Sequence, residues 1–528
     1  MTGPDRLLGG TGSRFALATP HAGATEAGVA AFDQGGNAVD AALAAATTLA
    51  VVYPHMCGMG GDLFALVREP EGRMIVVNAS GAAPAGVDVD TLRRVHREMP
   101  LFGPHAVTVP GAVSGWSQLA EHWSRLGLAR ALEPAIAAAR DGVPVARSLA
   151  ATLAWGTERL RQDPGLGDIF FRRGRPLAQG EQLEQPALAR SLSQLAREGA
   201  DALYGGELGE ALAEHLTSLG AAMTIDDLLA HTAELDSPLL ARFRDLDVAV
   251  APPNSQGFVL LQSLALIERL GLDPDPLGPD AGTLAEVFRQ AAADRDRHNA
   301  DPRHARVPVG MLVDDGHLAA MVDSVAAHAE VSDASRHRGD TIALVAADDT
   351  GLGITLIQSH YDGFGSGILE PRTGIVLHNR GAAFVLEPGD PNVLAGGKRP
   401  AHTLMPVVVQ REGALVALIG AMGGGAQPQI GAMSLVRALE LGYAAADAVG
   451  RPRWLVGGMD VRREERTVAV EADVPEVART SLAAAGYLLT NLDRHDEGAG
   501  HAHLIHVAAD GSFEAGTDPR ADGEVAVR

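Results

Sequence analysis

Cysteine is nearly absent from this 528-residue chain: Cys57 is the only one, so no internal disulfide can form. A thiol nucleophile at Cys57 is conceivable, but one cysteine in a glycine-rich apolar stretch is more often a small buried residue. Positive charge is also in deficit, with 43 Lys and Arg against 66 Asp and Glu and a formal net charge of −23. That balance lacks the electrostatic footprint of a nucleic-acid binder, and it makes anionic membranes and polymers poor partners. Long apolar runs free of charge and glycine are missing too, which argues against a membrane span. The opening residues Met1 to Gly10 hold no apolar core of signal-peptide length, so the expected location is the cytoplasm.

What is present is 46% hydrophobic residues and enough length for several domains or one large body. An Ala-rich helical run covers Val39 to Val52, followed by a glycine cluster and a strand-like Leu63 to Val67. From about Leu119 to Leu229 the three- and four-residue spacing of Leu, Ala and Arg predicts mostly helix, with Pro186 to Glu198 the clearest case. Composition shifts at Asp273-Pro274-Asp275-Pro276 and again at the polar connector Ala334 to Gly339. Beyond it, β-type runs dominate: Thr341 to Ala347, Gly353 to Ser359, Gly374 to Leu377, Pro406 to Gln410, Leu415 to Ile419, Val468 to Val470 and His503 to Ala508. Helical patterns recur at Ile430 to Leu441 and Val474 to Ala485. No solenoid or propeller repeat is evident. Helices alternating with strands predict layered packing of both.

The first two β-runs after the connector carry the chemistry. Thr341 follows a Gly-Asp pair and opens an apolar strand that ends in the turn signal Asp348-Asp349-Thr350-Gly351. A four-residue turn would place Ala347 opposite Leu352, and hence Thr341 opposite Gln358 and beside Ser359. A threonine hydroxyl becomes a useful nucleophile when a base adjoins it, and the closest base is its own α-amine once the Asp340-Thr341 bond is cut. Thr at a strand start is also common for β-propensity alone. Further on, Gly420 to Gln427 precedes a helix, and its successive glycines could converge backbone N–H groups on an oxyanion. A phosphate cradle would need the lysine and hydroxyl that this run lacks.

Three ordered blocks of sequence resemble the γ-glutamyltransferase family of N-terminal-nucleophile hydrolases. The first holds Pro20-His21-Ala22, Gly35 to Ala42 and Cys57-Gly58-Met59-Gly60-Gly61-Asp62. The second is the hairpin with Phe364 to Ile368, Thr373-Gly374-Ile375 and Asn379-Arg380-Gly381. The third is Gly397-Lys398-Arg399-Pro400, Gly423-Gly424 and Thr517-Asp518-Pro519-Arg520. The resemblance implies an α+β, four-layer αββα sandwich that cleaves itself into 1–340 and 341–528, intertwined as one body, with a homodimer possible. It implies Thr341 as nucleophile, Ser359 as its hydroxyl partner and Gly423 with Gly424 as oxyanion donors. No cofactor is implied, and the partner is a small-molecule amide.

The substrate positions depart from the family pattern. Where the resemblance puts an arginine for the substrate α-carboxylate this chain has Val89, and where it puts an acid for the α-ammonium it has Ala383. Tyr361 replaces an asparagine, His402-Thr403 replace paired serines, and Arg380 replaces a polar residue. Arg380 could grip a simpler carboxylate as a planar fork, or it could sit in an internal ion pair. With Gln427-Pro428-Gln429 and Arg451-Pro452-Arg453-Trp454, these residues look most like the branch that includes oxamate-type amidohydrolases. A γ-glutamyl hydrolase or transferase is the alternative enzyme, and an uncleaved scaffold the alternative of another class. His501 and His503, with His506 nearby, could offer metal ligands from one strand face. No ligand set is completed by a nearby carboxylate or cysteine, so a solvated or hydrogen-bonded face is expected and no metal. Asp518 and Arg520 are expected to brace the site, and Arg451 and Arg453 to pair locally with acids.

Overall fold

A computed structural model describes residues 8–327, 339–457 and 466–528. The connector residues 334–338 and residues 1–7 lie outside these.

Two seven-stranded antiparallel sheets stack face to face. The first runs Glu524–Val527, Phe15–Thr19, Asp340–Asp348, Gly353–Tyr361, Asp62–Arg68, Met74–Ala79 and Glu234–Asp236, in that spatial order. The second runs Gly9–Gly12, Phe513–Thr517, His501–Val507, Ala414–Met422, Val407–Arg411, Leu246–Val250 and Leu239–Phe243. Alternation decides which residues fill which layer, because successive strand side chains point to opposite faces. In the 340–348 strand, Ala343, Val345 and Ala347 enter the layer between the sheets with Phe64, Ile357, Val408 and Leu418. Ile342, Leu344 and Ala346 point the other way, into a core shared with the helices Ala38–Val52, Ala112–Trp123 and Leu128–Asp141. The second sheet's outer face is covered by Gly257–Leu270, Ala281–His298 and Gln427–Leu439. Helix, sheet, sheet, helix is the expected four-layer order.

The expected elements appear with small shifts at their ends. The Ala-rich run forms Ala38–Val52, started by a capping box in which Asn37 and Asp40 satisfy each other's backbone donors. Pro186–Glu198 is a helix with its proline in the first turn. The stretch expected to be helical from 119 to 229 also contains two short two-stranded sheets, Val143–Pro144 paired with Gln182–Leu183 and Phe171–Arg172 paired with Arg175–Pro176. Their runs are too short to register as periodicity.

The hairpin register differs from expectation by one residue. Thr341 pairs with Ser359, and Ile342, rather than Thr341, pairs with Gln358. Ala347 faces Gly353 because the connection spans five residues, with Asp348 N–H donating to Leu352 O at 3.0 Å. A bulge between Asp340 and Thr341 then sets Asp340 against Tyr361. A bulge of this kind bends the strand and re-aims the residue beside it.

Candidate active site

Thr341 shares the parity of Ala343 and Val345, so its side chain points between the sheets, and it is fully buried there. Ser359 lies across the pair on the same face. The two hydroxyl oxygens are 2.9 Å apart. Ser359 Oγ also donates to Asp340 O at 2.7 Å and accepts the Tyr361 N–H at 2.8 Å. A serine has one proton, and here it goes to the Asp340 carbonyl, so the Thr341 hydroxyl is the donor in the Thr–Ser contact. The result is a directed relay from Thr341 to Ser359 to the carbonyl of the bond before Thr341.

Local backbone strain makes that geometry. Tyr361 has φ +78°, rare for a residue with a bulky side chain, and Phe364 has φ +59°. At Tyr361 the turn folds the amide back onto the hydroxyl two residues earlier. Strain at such positions accumulates at functional sites, where surrounding contacts hold it in place.

The glycine turn meets this hairpin from the second sheet. Gly420 packs so closely on Ala343 that an added Cβ would come within 2.8 Å of the Ala343 Cβ. The strand ends at Met422, Gly423 and Gly424 take φ values of +152° and +52°, and the helix Gln427–Leu439 follows. Positive φ at both is what requires glycine there. Gln256 pins the turn from behind, its Nε2 donating to Gly424 O at 2.9 Å and to Thr403 O at 2.8 Å. Arg295 Nη1 donates to Gly425 O at 2.9 Å.

Arg380 is 1% exposed, and no carboxylate among the described residues lies within ion-pair distance of it. Its Nη2 donates to Ala401 O at 2.7 Å and its Nη1 to Thr403 Oγ1 at 3.1 Å, while Nε has no partner. The guanidinium sits 4.1 Å over the Tyr361 ring. Burial lowers the Arg380 pKa from its ordinary value, with Tyr361 and Asp62 opposing. The internal ion pair left open by the sequence is therefore not formed.

His402 bonds Asp62. Its Nδ1 accepts from Leu404 N at 3.2 Å, so Nε2 carries the proton and donates to Asp62 Oδ2 at 3.1 Å. Burial, reinforced by Arg380, lowers the His402 pKa to about 3 despite Asp62, which keeps the ring neutral. Burial raises the Asp62 pKa, but His378 and His402 outweigh it and hold the carboxyl well below the usual range. Asp62 pairs with Ser359 across the sheet, and its Oδ1 accepts from Gly81 N at 3.1 Å.

Other expected residues fall as follows. Val89 begins a short helix and packs with Leu92, Phe384 and Leu386. Ala383 lines a cavity of about 450 Å³ together with Arg93, His96, Arg295 and Asn299. Cys57 is buried, takes a hydrogen bond from Gln358 Nε2 at 3.2 Å, and has its thiol pKa pushed up by that burial. His501 and His503 are fully buried, which corrects the solvated strand face; His503 Nδ1 lies 2.8 Å from Thr517 Oγ1. His506 is half-buried. Among the described residues no group of three or more His, Cys, Asp or Glu is placed to hold a metal, and no helix is long and apolar enough to cross a membrane. Arg453 and Arg520 pair with Asp518 at 2.9 and 2.8 Å, all three buried. Arg453 Nη1 holds Gly500 O at 2.8 Å. A Cβ on Gly500 would lie 2.5 Å from Met422 O, so this ion cluster buttresses the strand that carries the glycine turn.

Sequence reasoning gave no role to Asp62, His378, Gln256 or Gly339. Asp62 stood at the end of the quoted Gly60-Gly61-Asp62 motif, a usable signal. Gln256 had none, since it acts across 147 and 168 residues of sequence.

Two stacked antiparallel sheets between helical layers, with a threonine at an inner strand end, define an N-terminal-nucleophile hydrolase fold. The family model described as Gamma-glutamyltranspeptidase matches residues 24–528. Over 515 residues the chain is 37% identical to the oxamate amidohydrolase proenzyme of Klebsiella pneumoniae subsp. pneumoniae, covering 96% of this chain and 97% of that protein. It is 36% identical over 516 residues to the glutathione hydrolase-like YwrD proenzyme of Bacillus subtilis, covering 97% and 98%. Cephalosporin acylase from Bacillus halodurans superposes with a TM-score of 0.91 at 30% identity, covering 100% of this chain and 98% of that one. The chain belongs to the gamma-glutamyltranspeptidase family and is an enzyme of it.

Proposed function

We propose that this chain is a self-processing amidohydrolase that cuts its own Asp340-Thr341 bond and then hydrolyses a small amide through a threonyl ester. Thr341 Oγ1 attacks the Asp340 carbonyl carbon, and its proton passes through Ser359. The tetrahedral centre collapses with loss of the C–N bond, the freed Thr341 nitrogen taking up the proton. Water then hydrolyses the ester, giving chains 1–340 and 341–528. In the matured site the Thr341 α-amine is the base for its own hydroxyl, and Gly423 and Gly424 supply N–H groups to the oxyanion. The substrate amide loses ammonia or an amine, and a second water releases the acid. Relatives named as proenzymes support the self-cleavage.

The acyl donor carries a carboxylate and no α-ammonium group, as an oxamate-like amide does. One observation carries this: a buried guanidinium at Arg380 without a carboxylate partner. An unpaired buried charge is costly, and an incoming carboxylate relieves that cost with a bidentate fit. The Ala383 side chain itself carries no acid for a γ-glutamyl ammonium.

Activity of the processed protein on oxamate, glutamine, glutathione and a cephalosporin side-chain amide tests the reading. Oxamate should be turned over fastest. Faster turnover of glutathione than of every ammonium-free amide would transfer the assignment to a γ-glutamyl hydrolase. A single 54.7 kDa band with no activity on any of them would leave an uncleaved scaffold.

A further inference from the structure

Gly339 lies against the glycine turn. A Cβ built on it would stand 2.3 Å from Gly424 N and 2.2 Å from Gly424 Cα, and 3.3 Å from Gly423 C. Those are backbone atoms and cannot rotate away, so no side chain fits at residue 339 while the turn keeps its place.

Two contacts therefore fix the scissile peptide from its two ends. Residue 339 rests on the Gly423-Gly424 peptide, and one residue later the Asp340 carbonyl accepts the Ser359 hydroxyl at 2.7 Å. Asp340 is further confined on its side-chain edge, since a Cβ on Gly363 would come 3.0 Å from Asp340 Oδ2.

We infer that Gly339 is a positioning residue for self-cleavage: its missing side chain lets the segment before the cut lie flat on Gly424 and so presents the Asp340 carbonyl to the Thr341 and Ser359 hydroxyls. The inference rests on the self-cleavage proposed above. It also orders the use of the turn. In the uncut chain residue 339 covers Gly424, so the carbonyl at the cut is polarised by Ser359; Gly424 meets a substrate only after the 339–340 end has left. The same turn first seats the precursor and later serves turnover.

Gly339→Ala in the full chain tests this. Displacement of a reacting group by about 1 Å costs on the order of 100-fold, so the variant should mature about 10- to 100-fold more slowly, followed as appearance of the fragment starting at Thr341. The matured fraction, purified from uncut chain, should have wild-type kcat and KM, because residue 339 has left the site by then. Gly310→Ala, at a glycine with nothing within 4 Å of its Cβ, should mature normally. Folding is controlled by comparing uncut Thr341→Ala with Thr341→Ala carrying Gly339→Ala, whose melting temperatures should agree within about 2 °C. Wild-type maturation of Gly339→Ala overturns the inference. So does a large drop in melting temperature of the double variant, which would make Gly339 a folding requirement only. If wild type itself never cleaves, it is the self-cleavage reading that fails, and the two failures are separable on one gel.

Discussion

The Arg380 guanidinium stacks 4.1 Å from the centroid of the Tyr361 ring, on the residue whose amide holds Ser359. A permanent cation, a strained backbone and the hydroxyl pair are thereby linked in one direction. The stack leaves the guanidinium edge to bond Ala401 and Thr403.

Replacing Arg380 by Ala should lower kcat/KM for an oxamate-like substrate by about 10- to 150-fold, the equivalent of roughly 1.5 to 3 kcal/mol for a charge-assisted bond. A neutral amide should lose much less. Arg380→Lys should recover only part, since an ammonium keeps the charge but not the planar fork. Equal losses on both substrates, measured as steady-state kinetics, would refute the clamp.

Thr341→Ala should stay a single chain and hydrolyse nothing, because the same oxygen performs the cut and the acyl transfer. Wild type should yield a small fragment whose mass starts at Thr341. Any cleavage of the variant at normal rate would show that another nucleophile acts.

Ser359→Ala removes the donor to the Asp340 carbonyl and the acceptor for the Thr341 proton together. Both maturation and turnover should slow, each by about 10- to 1,000-fold. A split result, with normal turnover after slow maturation, would confine Ser359 to the precursor reaction. Normal rates of both would remove it from the mechanism.

Stability should fall as pH drops below about 6.5. Burial lowers the pKa of His360 and His402 to about 3 and of His231 and His501 to about 4, below the value of an unfolded chain. Between those values and 6.5 the unfolded state binds more protons, so stability is lost with acid, at about 1.4 kcal/mol per pH unit for each such histidine. Asp340, raised by burial, Asp362 and Glu497, and Glu497, raised chiefly by burial, act in the opposite sense as pH falls. Asp163, also raised chiefly by burial, joins these two, while His55 and His503 are lowered chiefly by burial like the four histidines, so three carboxyls do not offset six histidines. Melting temperatures from pH 7 to pH 4.5 should decline steadily, and His501→Gln should flatten the slope by one proton. A melting temperature constant down to pH 5 would contradict the burial of neutral rings.

Much of the fold is legible locally. Alternation in Thr341 to Ala347 and Gly353 to Ser359 marks two strands half-facing a core, and the strands form where that pattern lies. The one-residue error in their pairing came from the turn: four residues and five carry the same Asp-Asp-Thr-Gly signal, and the Asp348 to Leu352 backbone bond chooses between them. That single residue decides whether Thr341 meets a serine hydroxyl or an amide. For His501 and His503 the sequence left a solvated or a hydrogen-bonded face open for a related reason. Alternation assigns them one face but says nothing about what meets them there: Thr517 on the neighbouring strand bonds His503, and the charges of Asp518 and Arg453 act on His501.

By itself the sequence determined the chemical inventory: a threonine after Gly-Asp opening a hairpin strand, a glycine turn before a helix, and arginine and alanine where a glutamyl substrate would need other groups. Tertiary structure alone decided what those residues do to one another. It set Ser359 against Thr341, left Arg380 buried without a carboxylate, locked His402 onto Asp62 from 340 residues away, and laid Gly339 on Gly424. Periodicity within a segment fixes which face a side chain takes. Which atom waits on that face depends on turn length, strand bulges and the docking of a second sheet, and these are settled only when distant segments pack.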